Sequence, residues 1–160
     1  MPDVIKVLFV CAGNICRSPM AEAVFQEQVD RAGLSQRFIV DSAGTGPWHV
    51  GERAHSGTLS ILKRNGIAYK GRARQVTHAD LNEYDYALAM DRSNLASLAR
   101  MAQGTSAEVA LFLHYANAAG TVSVDEVPDP YYSDNFDYVY NLALRGAQAL
   151  LAHLRAAHNL

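Results

Sequence analysis

The sequence predicts an α/β fold: one domain over 1–160, built on an open parallel four-stranded sheet with helices on both faces. Three observations carry this. Short apolar runs alternate with helical periodicity in the order βαβαβαβα. Successive runs lie ~20 residues or more apart, which is room for the right-handed crossovers that parallel neighbours require. The first run, Val4 to Val10, holds Lys6 as its single charge, the pattern of a strand buried on both faces.

Each element has its own signal. Ser18-Pro19 offers a helix N-cap followed by proline at the first helical position, and Ala21, Phe25, Val29 and Ala32 recur at helical spacing up to Gly33. Phe38-Ile39-Val40 is a second strand that runs out into Asp41-Ser42-Ala43-Gly44. Leu59 and Leu62, with the stop Asn65-Gly66, mark a helix from about 54 to 65. Tyr84 to Met90 is a third strand, followed by a capping cluster from Asp91 to Asn94 and by Leu95, Leu98 and Met101 on one helical face. Val109 to Leu113 is the fourth strand. From Asp137 to about His158, the spacing of Val139, Leu142, Ala143, Gly146, Leu150 and Leu154 gives a long terminal helix, with Gly146 allowing close packing on the sheet.

Composition narrows the function classes. Fourteen Lys plus Arg against 16 Asp plus Glu give a net charge of −2, so no basic excess is available to neutralise a nucleic-acid backbone. No apolar run approaches a membrane span, and the N-terminal segment lacks the long apolar stretch of a signal peptide. The histidines and the two cysteines, Cys11 and Cys16, never fall into metal-ligand spacing, so no metal is expected. Two cysteines are too few for a disulfide framework, which points to a reducing, cytoplasmic compartment. Nothing in the sequence suggests an oligomer, and a monomer is expected.

Open parallel sheets bind ligands beyond the carboxyl ends of their strands, and the first strand runs out into Cys11-Ala12-Gly13-Asn14-Ile15-Cys16-Arg17-Ser18. Gly13 and Asn14 tolerate positive φ, so this loop can curl into a nest of N–H groups opening on a helix N-terminus, a cradle for a tetrahedral oxyanion. Arg17 adds a bidentate cation. The same field favours a thiolate at Cys11, whose ordinary pKa near ~8.5 leaves a free thiol mostly protonated at neutral pH. Ser18 either caps the helix or donates to the sulfur. Asn14 can hold the loop through its amide. Ile15 and Cys16 read first as loop packing.

Val10-Cys11-Ala12-Gly13-Asn14-Ile15-Cys16-Arg17-Ser18-Pro19-Met20-Ala21-Glu22 resembles the signature loop of the low-molecular-weight protein tyrosine phosphatases. The resemblance continues in order along the chain at Asp41-Ser42-Ala43-Gly44-Thr45, Trp48-His49-Val50-Gly51, Ala73-Arg74-Gln75-Val76-Thr77, Met90-Asp91-Arg92-Ser93-Asn94-Leu95 and Asp129-Pro130-Tyr131-Tyr132. It implies a phosphotyrosine protein phosphatase I-like sheet and hydrolysis of protein phosphotyrosine through a cysteinyl-phosphate, without cofactor and with inorganic phosphate as product and inhibitor. By the same resemblance, Cys11 is the nucleophile, Arg17 binds the phosphoryl oxygens, and Asn14, Ser18, Ser42 and Asp91 support the loop. Turn or helix capping is the alternative for Ser42 and Asp91. Relatives carry a histidine two residues before the Ala-Arg-Gln segment. Gly71 stands there in this chain, leaving Arg72 as the candidate replacement.

An aryl phosphate also needs an acid for its leaving oxygen. Val127-Pro128-Asp129-Pro130-Tyr131-Tyr132 holds a carboxyl between two prolines, in a restricted segment expected to be neither helix nor central strand. The resemblance makes Asp129 the general acid and then the base. Tyr131 and Tyr132 are either a half-buried anchor or an aromatic wall for the substrate ring, and Trp48 either plugs a core edge or flanks the entrance. Cys16 is a candidate redox partner for Cys11.

Three neighbouring readings compete. Arsenate reductases relay oxidation through downstream cysteines, and none follows Cys16. Protein-arginine phosphatases carry threonine at the position of Ile15. A non-catalytic phosphotyrosine binder would not require both Cys11 and Asp129.

Overall fold

The computed structural model describes residues 3–160. Strands β1 (Ile5–Cys11), β2 (Phe38–Gly44), β3 (Tyr86–Ala89) and β4 (Glu108–Leu111) form one sheet in the order β2-β1-β3-β4, with every pair parallel. Among the described residues, seven α-helices surround it: α1 (Arg17–Arg31), α2 (Ser56–Arg64), α3 (His78–Glu83), α4 (Arg92–Met101), α5 (His114–Ala118), α6 (Pro130–Ser133) and α7 (Phe136–His158). The α/β architecture expected from the alternating pattern is the one observed.

Strand β1 is hydrogen-bonded on both sides, so its side chains must alternate between two cores. Val7, Phe9 and Cys11 face the α1, α2, α5 and α7 layer, while Leu8 and Val10 face Leu81 of α3 and Leu98 of α4. Phe9 sits at the centre of the larger core, edge-on to Phe25 at 5.6 Å and to Phe112 at 5.2 Å. In α7, Gly146 lies where a Cβ would come within 2.7 Å of the Phe112 ring, which is why this helix can approach the sheet so closely.

The strand order sets the functional crevice. The chain leaves β1 for β2 on one side, then crosses back to place β3 on the other side, so the carboxyl ends of β1 and β3 flank a topological switch point. Register does the rest. Cys11 pairs with Gly44 and Val10 with Ala89, and the Met90 amide donates to the Val10 carbonyl at 3.1 Å. The loops after β1, β2 and β3 therefore leave the sheet side by side.

Several expected boundaries shift. Strands β3 and β4 are four residues each, shorter than predicted, because Tyr84 caps α3 and Leu113 already opens α5. Ser18 is not the N-cap of α1. Cys16 takes that position without a side-chain cap, so the orphan amides of the first turn remain available at the loop. The proline-flanked segment, expected to be non-helical, contains the single helical turn α6, with Pro130 in its first turn and the Asp129 side chain accepting the Tyr131 amide at 3.0 Å. Among the described residues, no helix is long and apolar enough to cross a membrane.

Candidate active site

The loop between β1 and α1 is shaped by its carbonyls. Those of Cys11, Ala12 and Ile15 accept from the amides of Thr45, Gly46 and His55, and that of Cys16 accepts from the Thr58 hydroxyl at 3.1 Å. In a trans peptide the N–H points opposite to the C=O. Tying these carbonyls outward thus turns the amides of Ala12, Gly13, Cys16 and Arg17 toward the centre of the loop.

Asn14 makes the curl. Its φ is +59°, whereas Gly13, the other residue that tolerates positive φ, lies outside that region. The Asn14 amide donates to Ser18 Oγ at 2.8 Å and to Ser42 Oγ at 2.9 Å, and its carbonyl accepts from the Arg74 backbone N–H at 3.0 Å. These three bonds offset the cost of the left-handed backbone. Gly13 instead leaves room for a neighbour: a Cβ there would fall 2.8 Å from His49 Cδ2, so His49 would have to shift.

The Cys11 sulfur lies 3.0 Å from Ser18 Oγ and accepts the Asn14 backbone N–H at 3.3 Å. Because the Ser18 oxygen already accepts from Asn14, its own proton is free to point at the sulfur. Ser42, far from a turn cap, is a buried bridge between Asn14 and Glu22, to which it donates at 2.6 Å. Asp91 does both jobs considered for it. One carboxylate oxygen caps α4 through the Asn94 amide at 2.8 Å, and the other accepts from Arg17 at 2.7 Å.

Arg17 is only 4% exposed. Burial works against its charge more than any other single influence, but nearby Cys11 and the hydrogen-bonded Asp91, with Asp129 beyond, together hold the guanidinium more firmly protonated than usual. Its Nη1 is committed to Asp91 and to the Val127 carbonyl, while Nη2 lies 3.7 Å from the Asp129 carboxylate.

Behind the loop lies a layer the sequence did not announce. Glu22 accepts from Ser42 and from the Tyr69 hydroxyl at 2.7 Å, and burial pushes its carboxyl up to about 7 despite those two donors. A Cβ on Gly71 would stand 2.3 Å from that hydroxyl, so the glycine makes room for the phenol. Arg72, the candidate replacement at Gly71, does not reach this layer, whereas the Tyr69 hydroxyl does. Arg72 is exposed and donates to the Gly51 carbonyl.

A cavity of about 340 Å³ opens above the loop, lined by Cys11, Ile15, Arg17 and Asp129 and walled by Trp48, His49, Tyr131 and Tyr132. Trp48 is 67% exposed and plugs no core edge, Tyr132 at 86% is not a half-buried anchor, and both line the cavity. Tyr131 rests edge-on against His55 at 5.9 Å, whose ring stacks on Phe136 at 5.0 Å. His49 is a wall residue that carried no role in the sequence reading. Cys16 is a free, buried thiol pushed up to about 12, first by burial and then by nearby Cys11 and Asp129, with Arg17 opposing. No group of three or more His, Cys, Asp or Glu side chains among the described residues is gathered for a metal ion.

Residues 6–159 match the family described as low molecular weight phosphotyrosine protein phosphatase. The chain is 46% identical over 154 residues to the low molecular weight protein-tyrosine-phosphatase YfkJ of Bacillus subtilis, covering 94% of this chain and 96% of that one. It is 52% identical over 140 residues to the low molecular weight phosphotyrosine protein phosphatase of Schizosaccharomyces pombe, covering 85% and 88%. The crystal structure of YfkJ superimposes with a TM-score of 0.91 at 44% identity over 97% of each chain. A drosophila arginine phosphatase superimposes with a TM-score of 0.87 at 33% identity, covering 94% of this chain and 98% of that one. With sequence match, sheet topology and overall structure in agreement, the chain belongs to the low-molecular-weight phosphotyrosine protein phosphatases, enzymes that hydrolyse phosphotyrosine.

Proposed function

We propose that Cys11, Arg17 and Asp129 perform this hydrolysis in two displacements at phosphorus. The observation that carries the assignment is that one cavity gathers the sulfur and the buried guanidinium of the loop after β1 with a carboxyl from a distant second segment of the chain. In the first step the Cys11 thiolate attacks phosphorus, the P–O bond to the ring breaks, and the departing phenolic oxygen takes the proton of the Asp129 carboxyl. In the second, the Asp129 carboxylate removes a proton from water as the water oxygen attacks phosphorus. The S–P bond breaks, returning the thiolate and releasing inorganic phosphate. Arg17 and the inward amides of the loop hold the equatorial oxygens in both steps. The Ser18 hydroxyl donates to the sulfur as it regains its charge.

The wall fits the leaving group. Trp48, Tyr131 and Tyr132 offer faces for an aromatic ring, and apolar Ile15 within the loop favours an aryl phosphate over a guanidino phosphate. Inorganic phosphate fits the same cradle and acts as a competitive inhibitor. The site is assembled within one chain, which supports action as a monomer, and two free thiols suit a reducing cytoplasm. Replacing the acid tests the assignment: Asp129→Ala is expected to lower kcat on phosphotyrosine by about 100-fold or more while affecting an activated aryl phosphate far less. Equal losses on the two substrates would remove Asp129 from the mechanism.

A further inference from the structure

We propose that Arg92 is a positioning residue for the general acid, latching the segment that ends at Asp129 onto the first turn of α4. The proposal rests on the assignment of Asp129 as that acid. Residues 121–129 contain neither helix nor strand, yet they must present a carboxyl to a fixed point above the loop. No regular backbone ladder holds them, so isolated backbone bonds and side chains must.

Arg92 receives both acidic residues that precede the turn. Its guanidinium meets Asp125 at 2.5 Å and Glu126 at 3.2 Å, and its backbone N–H donates to Glu126 at 2.8 Å. That N–H is the first of α4, an orphan donor at the positive end of the helix dipole, which is where a carboxylate is most favoured. The next residue, Val127, is held from both sides, its N–H donating to the Met90 carbonyl at 2.8 Å and its carbonyl accepting from Arg17 at 2.9 Å. Asp129 follows after a single proline.

The electrostatics explain why a cation is needed there. Asp91, Asp125, Glu126 and Asp129 all line a second cavity beside the site, and Arg17 is the one cation among its lining residues. With Asp91 and Asp129 both drawing on Arg17, Asp125 and Glu126 would repel their neighbours and push the segment outward. Arg92, exposed and outside the reacting cavity, neutralises that pair and turns repulsion into an anchor. Three contacts to one residue form a small network, unlike an isolated surface pair.

The test uses Arg92→Met, Arg92→Lys and Asp129→Ala in the full chain, with a poor and an activated aryl phosphate as substrates. Arg92→Met is expected to lower kcat about fivefold on the poor leaving group and under about twofold on the activated one, with KM unchanged. It is expected to cause no further loss in the Asp129→Ala background, and Arg92→Lys to recover most of the rate. Hydrogen exchange of the Val127, Asp129 and Tyr131 amides is expected to speed up in Arg92→Met. Equal losses on both substrates, or the same loss with Asp129 already removed, would overturn the latch. If Asp129→Ala shows no leaving-group dependence, the acid assignment fails by itself, and exchange decides the latch: faster exchange supports it and unchanged exchange overturns it.

Discussion

At the scale of single residues, the site rests on a few buried polar groups whose partners are fully specified. Glu22 is the most revealing. Its carboxyl is raised by burial from the ordinary value of 4.5 to about 7. Across that window the folded chain keeps a proton that the unfolded chain has released, so stability falls as pH rises from 4.5 to 7 and levels off above. Glu22→Gln is expected to flatten that decline in thermal midpoints, and identical slopes in the two proteins would show that Glu22 does not titrate there. Cys16 supplies a second test. A sulfenic acid formed on Cys11 by peroxide can condense with the Cys16 thiol to give a disulfide and water. Wild type is therefore expected to regain more activity with dithiothreitol than Cys16→Ser, with a Cys11 to Cys16 crosslink seen by mass spectrometry. Equal recovery without a crosslink reduces Cys16 to packing.

Cys11, Asn14, Arg17 and Ser18 were legible because they lie in one short loop whose backbone demands can be read locally. Glu22 and Tyr69 were not, since their meeting depends on how α1 and the segment after α2 settle against β2, and Arg92 was legible only as part of a capping cluster. The reason for Gly13 was equally hidden. It answers to His49, 36 positions away in sequence, and not to its own φ.

At the scale of elements, the catalytic loop works because α1 lacks a side-chain cap and β1 delivers Cys11 to its mouth. The long elements were read correctly in type, since α1 and α7 show several turns of periodicity. The helices α3, α5 and α6, of six, five and four residues, were missed because a turn or two contains no period to detect. The Thr77 and Asp80 capping box was the available sign for α3. Packing of α7 gives a quantitative expectation. Gly146→Ala adds a Cβ within 2.7 Å of Phe112 and 2.8 Å of a Leu113 methyl, both fully buried. The helix gains up to ~1 kcal/mol of propensity, but overpacking costs about 1–3 kcal/mol, so a net loss of about 1 kcal/mol is expected. Denaturant unfolding measures it, and a stabilised variant would mean that α7 can retreat from the sheet.

At the scale of the whole molecule, the sheet order β2-β1-β3-β4 places three loops at one switch point. Tertiary folding then brings Asp129 from far along the chain to the thiol that β1 presents. The alternating pattern made the parallel sheet legible, and the function followed from what stands at the end of its central strand. The most direct measurement of the central claim is mass spectrometry of enzyme quenched during turnover of an aryl phosphate, using Asp129→Asn to slow hydrolysis of the intermediate. The two-displacement mechanism requires one phosphoryl group on the peptide containing Cys11 and none when Cys11→Ser is also present. Phosphate on any other residue, or steady turnover by Cys11→Ser with no intermediate, would contradict it.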